Sequence, residues 1–192
     1  MDARWRNLGI ILVAIVLAFF VYSMFFGPKA ESLNIINGVW LSKGITVDKL
    51  GLAELQKISA LPASDLQSLK SSFVTMQSSF KQDSADYYLS NVYSKLSDYL
   101  LFSKKVEEKN QQLSLLGYDD PCTHVPILKE RNSLEEQSLQ ALQELDKAVV
   151  EFNSKFPLLS SNLSLKEGKD MDSLNAQLAS KKESTQNLEK LC

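Results

Sequence analysis

The sequence predicts an all-α protein, in which an N-terminal transmembrane helix precedes an antiparallel helical bundle or coiled-coil hairpin of four to five helices. Three observations support this prediction. Residues 8–26 form an uncharged apolar run. Apolar residues recur at spacings of three and four through most of the remaining chain, which is typical of helices that pack on other helices. Gly (7) and Pro (5) are scarce among 192 residues, while good helix formers recur.

The composition also narrows the range of functions that the sequence predicts. Charged residues make up 23% of the chain and the formal net charge is -2, so no basic face for nucleic acid is indicated. The sequence contains no Gly-rich phosphate loop, no paired catalytic carboxylates in a recognisable setting and no His-based motif. We therefore expect neither an enzyme nor a cofactor-binding protein.

Residues 8–26 have about the length that a helix needs to cross a bilayer, roughly 20 residues. Arg4 and Arg6 precede this run, whereas Lys29 and Glu31 follow it, so the positive excess lies on the N-terminal side. The positive-inside rule then places residues 1–7 in the cytoplasm and the C-terminal part outside the cell membrane. The prediction is a single-pass protein that contacts membrane lipid through this anchor.

A cleaved signal peptide is the alternative for the apolar run. The run exceeds the apolar core of about 7–15 residues that is typical of signal peptides, and Pro28 disrupts a small-residue cleavage site before Ala30. The pattern favours an uncleaved signal anchor. A pilin-like filament subunit, processed near Gly9, is a further alternative, although no Glu lies early in the run.

Residues 27–46 differ from the chain that follows and are predicted to form a juxtamembrane connector. Asn37-Gly38 lies between two short apolar stretches and suits a two-residue hairpin turn. An irregular connector is the alternative, because an isolated hairpin of such short strands is marginally stable. In either case, Trp40 is expected to pack on the bundle or to lie at the lipid surface.

Residues 47–192 are predicted to form the extracytoplasmic helical bundle. Pro62, Gly117 and Pro157 end helical runs, and residues 82–86 shift the phase of the pattern. Residues 65–116 therefore form either one long kinked helix or two helices, with Asp83 or Ser84 as the cap of the second. The apolar positions at helical spacing include Leu66, Leu69, Phe73, Leu89, Val92, Leu96, Leu142, Leu145, Val149, Phe152, Leu174 and Leu178.

Residues 118–126, YDDPCTHVP, combine the residue types of a metal or catalytic site: Asp119, Asp120, Cys122 and His124. A tetrahedral zinc site usually needs several Cys or His ligands, and the sequence has no second cluster to supply them. A nucleophilic cysteine needs a contacting base, an orienting group and an oxyanion site, which residues two apart in a loop rarely provide. The stretch is therefore predicted to be a turn between two long helices.

Cys192, the last residue, is the predicted disulfide partner of Cys122. If residues 126–156 form one helix and residues 171–191 return antiparallel to it, at about 1.5 Å per residue, the two cysteines approach the same end of the bundle. An extracytoplasmic location permits disulfides. This bond would close a loop of about 70 residues and contribute about 4 kcal/mol in the chain-entropy model. Two free thiols or an intermolecular bridge are the alternatives.

Two further groups of residues bear on partners. Asn162 begins a glycosylation sequon in a predicted loop. The more exposed of Tyr87, Tyr88 and Tyr93, with Trp40, are candidates for a partner surface, and core packing is the alternative for the tyrosines. The sequence favours a membrane-anchored bundle that acts by protein–protein interaction, as a surface scaffold or as an accessory subunit of a membrane complex. A ligand-sensing bundle is the alternative.

Overall fold

The computed structural model describes residues 31–45, 52–116, 121–157 and 171–192, and the side chains of these ranges except those of 31–35 and 52–55. The predicted anchor at residues 8–26 lies outside the described residues. Among the described helices, none is at once long enough and apolar enough to cross a membrane. The chain divides into two units, residues 1–35 and residues 36–192, and the architecture below is that of the second unit.

The regular secondary structure of the described residues is all helical, as the periodicity predicts, with no strand. They form six α-helices and one short 3-10 helix, and five of the α-helices lie after residue 47. In chain order these are α1 (Glu31–Leu41), α2 (Leu52–Ser59), α3 (Ala63–Ser79), α4 (Ala85–Leu115), the 3-10 helix (Pro121–His124), α5 (Val125–Lys155) and α6 (Met171–Leu191).

Cross-helix ion pairs show that α3, α4, α5 and α6 follow one another antiparallel. Lys70 of α3 pairs with Asp98 of α4 at 2.7 Å, and Lys109 near the end of α4 pairs with Glu130 near the start of α5 at 2.7 Å. Lys182 of α6 pairs with Glu136 of α5 at 2.9 Å. The most extensive packing joins α4 to α5 and α3 to α4, whereas α6 packs on α5 less extensively. This is the up-and-down order of an antiparallel bundle.

Residues 65–116 form two helices, which decides between the two alternatives from the sequence. α3 ends at Ser79 and α4 begins at Ala85. Ser84 caps α4, because its Oγ accepts a hydrogen bond from the Tyr87 backbone N–H at 3.2 Å. Asp83 has φ +70°, the left-handed conformation that Asn and Asp tolerate better than most residues. The shift in apolar phase therefore marks a genuine break between helices.

The hairpin at Asn37-Gly38 is not formed, because these residues lie inside α1. Helical spacing puts Ile36 and Trp40 on one face, one turn apart, and both side chains are fully buried. In a hairpin that turned at Asn37-Gly38, Ile36 and Trp40 would lie on different strands and on opposite faces. Gly44 then adopts φ +72°, and the Ile45 N–H donates to the Trp40 carbonyl at 3.0 Å, which ends α1 with Ile45 buried.

The core contains an aromatic cluster of Trp40, Phe73 and Tyr93, which joins α1, α3 and α4. The Trp40 ring centroid lies 4.9 Å from that of Phe73 and 5.3 Å from that of Tyr93, and the Phe73 and Tyr93 centroids are 5.4 Å apart. Such separations are typical of favourable aromatic pairs. Trp40 therefore packs on the bundle, in line with one of the two expectations for it.

Candidate functional site

The predicted disulfide is formed between Cys122 and Cys192, whose Cα atoms are 5.5 Å apart. Cys122 lies on the 3-10 helix that precedes α5, where Pro126 occupies the first turn. Cys192 follows α6 directly. The two cysteines meet because α6 runs back along α5 to the end where α5 begins. Both cysteine residues are exposed, so the bond closes this end of the bundle at its surface.

The contact between α5 and α6 is centred on a buried hydrogen bond that the sequence reasoning did not identify. Asn132, only 3% exposed, donates from Nδ2 to Oγ1 of Thr185 at 2.9 Å. The Thr185 hydroxyl in turn donates to the Lys181 carbonyl at 2.9 Å. Arg131 Nη2 donates to Asn132 Oδ1 at 2.7 Å. The interruption of the apolar face of α6 by Lys181 and Thr185 was the available signal.

Ion pairs flank this hydrogen bond along α5 and α6. Lys129 pairs with Glu189, and Lys181 pairs with Glu135. These contacts repeat the antiparallel register of the Lys182–Glu136 pair. By contrast, only Leu178 and Thr185 are buried among the side chains of α6. The last helix is therefore held mainly by polar contacts and by the disulfide at its end.

Three exposed leucines lie at the disulfide end of the bundle. Leu115 and Leu191 are each 84% exposed, and Leu116 is 42% exposed. Leu115 is the last residue of α4 and Leu116 is its C-cap, while Leu191 directly precedes the disulfide-bonded Cys192. We call these three residues the leucine tip. Other exposed large apolar residues of the described ranges, Leu41, Val74 and Val150, lie on separate helices.

Of the four residues considered for a metal site, the structure describes only Cys122 and His124. Cys122 is consumed by the disulfide, and the His124 side chain has a buried Nε2 with no hydrogen-bond partner in the described ranges. Asp119 and Asp120 lie outside the described residues. Where the structure describes the chain, no three His, Cys, Asp or Glu side chains form a group that could hold a metal ion.

Three of the four aromatic residues considered for a partner surface are buried within the chain. Trp40 is 0%, Tyr93 is 5% and Tyr88 is 8% exposed, and only Tyr87 is half-buried. Burial raises the pKa of the Tyr93 hydroxyl. The physical reason is the helical form of α1, which brings Trp40 under the face of α4 that carries Tyr93. The three buried side chains belong to the core, which is the alternative that the sequence offered for the tyrosines.

A second polar group links the opposite end of the bundle. The Tyr88 hydroxyl donates to Asp83 Oδ1 at 2.9 Å, and Lys155 Nζ lies 3.2 Å from the same oxygen and 4.5 Å from the Tyr88 ring centroid. The hydrogen bond from Tyr88, followed by Lys155, lowers the pKa of Asp83. Tyr88 and then Asp83 raise the pKa of Lys155. This group joins the α3–α4 turn to the end of α5.

Asn162, the sequon residue, lies outside the described residues. Comparisons with protein-family models, with curated proteins and with solved structures found no match to this chain.

Proposed function

We propose that this chain is a membrane-anchored, extracytoplasmic helical-bundle protein that acts by protein–protein contact at the leucine tip. The observation that carries the proposal is the grouping of Leu115, Leu116 and Leu191 at one end of the bundle. Scattered exposed apolar residues are normal on a soluble surface, but grouped ones are characteristic of interaction sites. The partner would bury these side chains as the apolar centre of an interface.

The membrane anchor is supported by residues 8–26, which carry no charge and have a length suited to a bilayer. Arg4 and Arg6 support an orientation with the N-terminus in the cytoplasm. The Cys122–Cys192 disulfide agrees with this orientation, because such bonds persist mainly in oxidising, extracytoplasmic compartments. The bundle would then present its leucine tip outside the cell membrane.

Protease protection on intact cells tests the anchor and its orientation. With epitope tags at both ends of the full chain, external protease is expected to remove the C-terminal tag and to leave the N-terminal tag intact. The variant Ile15→Arg places a charge in the middle of the run and is expected to weaken retention in alkali-washed membranes. Ile15→Leu is the matched control. Protection of both tags, or equal retention of both variants, would contradict the anchor.

Photocrosslinking in membranes tests the leucine tip. The triple variant Leu115→Ser, Leu116→Ser, Leu191→Ser is compared with a matched triple, Leu41→Ser, Val74→Ser, Val150→Ser, in which the apolar losses are scattered. The tip variant is expected to lose the crosslinked species of the wild-type chain, whereas the scattered variant keeps them. If both variants crosslink like the wild type, the tip is not the contact site.

A further inference from the structure

α6 has little fully buried apolar surface for a helix of its length. Among its side chains only Leu178 and Thr185 are buried. The Thr185 hydroxyl is hydrogen-bonded to Asn132 and to the Lys181 carbonyl. By contrast, α4 and α5 each bury nine residues. Since burial of apolar surface is the dominant favourable term in folding, α6 contributes little to the core and receives little from it.

Leu178 is the one fully buried apolar side chain of α6, whereas Leu174 and Leu188 are partly buried. The Lys182–Glu136 and Lys129–Glu189 pairs define the antiparallel register, which places Leu178 level with Leu139 of α5. Leu178 is 5% exposed and Leu139 is 9% exposed. The remaining cross-helix contacts include exposed ion pairs, which individually stabilise a protein little.

The disulfide therefore contributes a large share of the stabilisation that keeps α6 docked on α5. Residues 158–170 connect one end of α6 to α5, and Cys192 connects the other end to Cys122. A helix tethered at both ends redocks readily, because its effective concentration at the docking site stays high. Loss of the second tether leaves α6 joined to α5 only through residues 158–170 and through the noncovalent contacts between the two helices. Both cysteines are exposed, so a reductant reaches them without unfolding of the core.

We propose that Cys122–Cys192 is an exchangeable disulfide that latches α6, so that reduction by a dithiol releases α6 while α3, α4 and α5 stay packed. A thiolate of the dithiol attacks one sulfur, the Sγ–Sγ bond breaks, and a mixed disulfide forms. The second thiol of the reductant then attacks this mixed disulfide and displaces the protein cysteine as its thiolate. The dithiol is oxidised to its own disulfide. Its two electrons and two protons are transferred to Cys122 and Cys192, which become thiols. Release uncovers Asn132 and Leu139 on α5.

Hydrogen exchange on the full chain, purified in a mild detergent, tests this proposal. With a dithiol reductant, the amides of residues 171–191 are expected to exchange at least about tenfold faster, because local opening of α6 becomes easier. The amides of residues 92–101 in α4 and 145–152 in α5 are expected to keep their rates. Unchanged exchange in α6 would overturn the proposal, because the disulfide would then not stabilise that helix. An equal rise in all three helices would also overturn it, because the disulfide would then stabilise the whole bundle.

The double variant Cys122→Ser, Cys192→Ser separates the effect of losing the disulfide from any other effect of the reductant. Without reductant it is expected to exchange like the reduced wild type, and added reductant is expected to change nothing further. An α6 as protected as in the oxidised wild type would overturn the latch.

Trypsin gives a second readout, because Lys181-Lys182 lies within α6 and needs local opening to be cut. The expected result is earlier cleavage there in the reduced chain than in the oxidised chain, with α4 and α5 still intact. Equal cleavage rates at this site would overturn the proposal.

Discussion

Asn132 of α5 and Thr185 of α6 form a buried hydrogen bond of 2.9 Å at a position where two packed helices usually carry apolar side chains. Buried polar residues at such positions specify register, since any slip leaves them without a partner. Here the pair holds the polar last helix at one level on α5, in line with the ion pairs and the disulfide. The relationship explains why α6 packs in place with so little apolar area.

A double-mutant cycle measures this pair. Asn132→Leu and Thr185→Val each remove one partner, and we expect each to destabilise the fold by about 1 kcal/mol, with a coupling of about 0.5–1.5 kcal/mol between them. The free energy of unfolding is measured by urea denaturation with the disulfide intact. Asn110→Leu is the control, because Asn110 is an exposed asparagine of α4. Additive effects of the two substitutions would contradict the coupling.

Trp40 tests whether the segment before residue 47 belongs to the core. Trp40→Ala is expected to lower the free energy of unfolding by about 3–5 kcal/mol, because it opens a cavity beside Phe73 and Tyr93. Leu41→Ala on the same helix is the matched control, since Leu41 is 57% exposed, and its effect is expected to stay below about 0.5 kcal/mol. Equal losses in the two variants would be inconsistent with the packing described.

Acid sensitivity is expected at Asp83. The Tyr88 hydroxyl, followed by Lys155, lowers the pKa of this carboxyl, so its stabilising contribution is present at neutral pH. That contribution is lost as the pH falls through the folded-state pKa, which lies below the unfolded value of about 3.9. Asp83→Asn removes the charge and tolerates the left-handed backbone.

Urea denaturation across a pH series checks this expectation. The stabilities of the wild type and Asp83→Asn are expected to differ most at neutral pH and to converge below about pH 3. In a Tyr88→Phe background, which lacks the hydroxyl donor, the pH-dependent difference is expected to shrink. A difference that stays constant with pH would show that the charge is not responsible.

Ser84 is expected to stabilise the start of α4 through its capping hydrogen bond. Ser84→Ala removes the acceptor of the Tyr87 N–H and is expected to cost about 0.5–2 kcal/mol of unfolding free energy. Ser79→Ala is the matched control, because the Ser79 hydroxyl donates only to the Met76 carbonyl at an exposed site near the end of α3. Thermal unfolding of both variants distinguishes the cap from a general loss of serine.

Much of the fold follows from local patterns. The spacing of Leu66, Leu69 and Phe73 predicts the buried face of α3, and all three side chains are buried. The disulfide was also predicted, because only two cysteines exist and the lengths of α5 and α6 bring them to one end. Asn37-Gly38 suits a turn, but the turn preference of two residues is weaker than the gain from burying Ile36 and Trp40 together. Asn132 illustrates the same limit, because spacing alone does not reveal that its side chain meets Thr185 of a neighbouring helix.

The sequence by itself determined the helical class, the shift in apolar phase near residues 82–86 and the preferred pairing of its two cysteines, because spacing, capping residues and cysteine count act locally or leave few alternatives. Only the tertiary structure decided that Trp40 lies in the core, that Asn132 meets Thr185, and that Leu115, Leu116 and Leu191 share an exposed end. Those facts depend on which faces of separate helices meet. The relative rotation and register of packed helices result from the whole set of contacts, and no single stretch of sequence contains them.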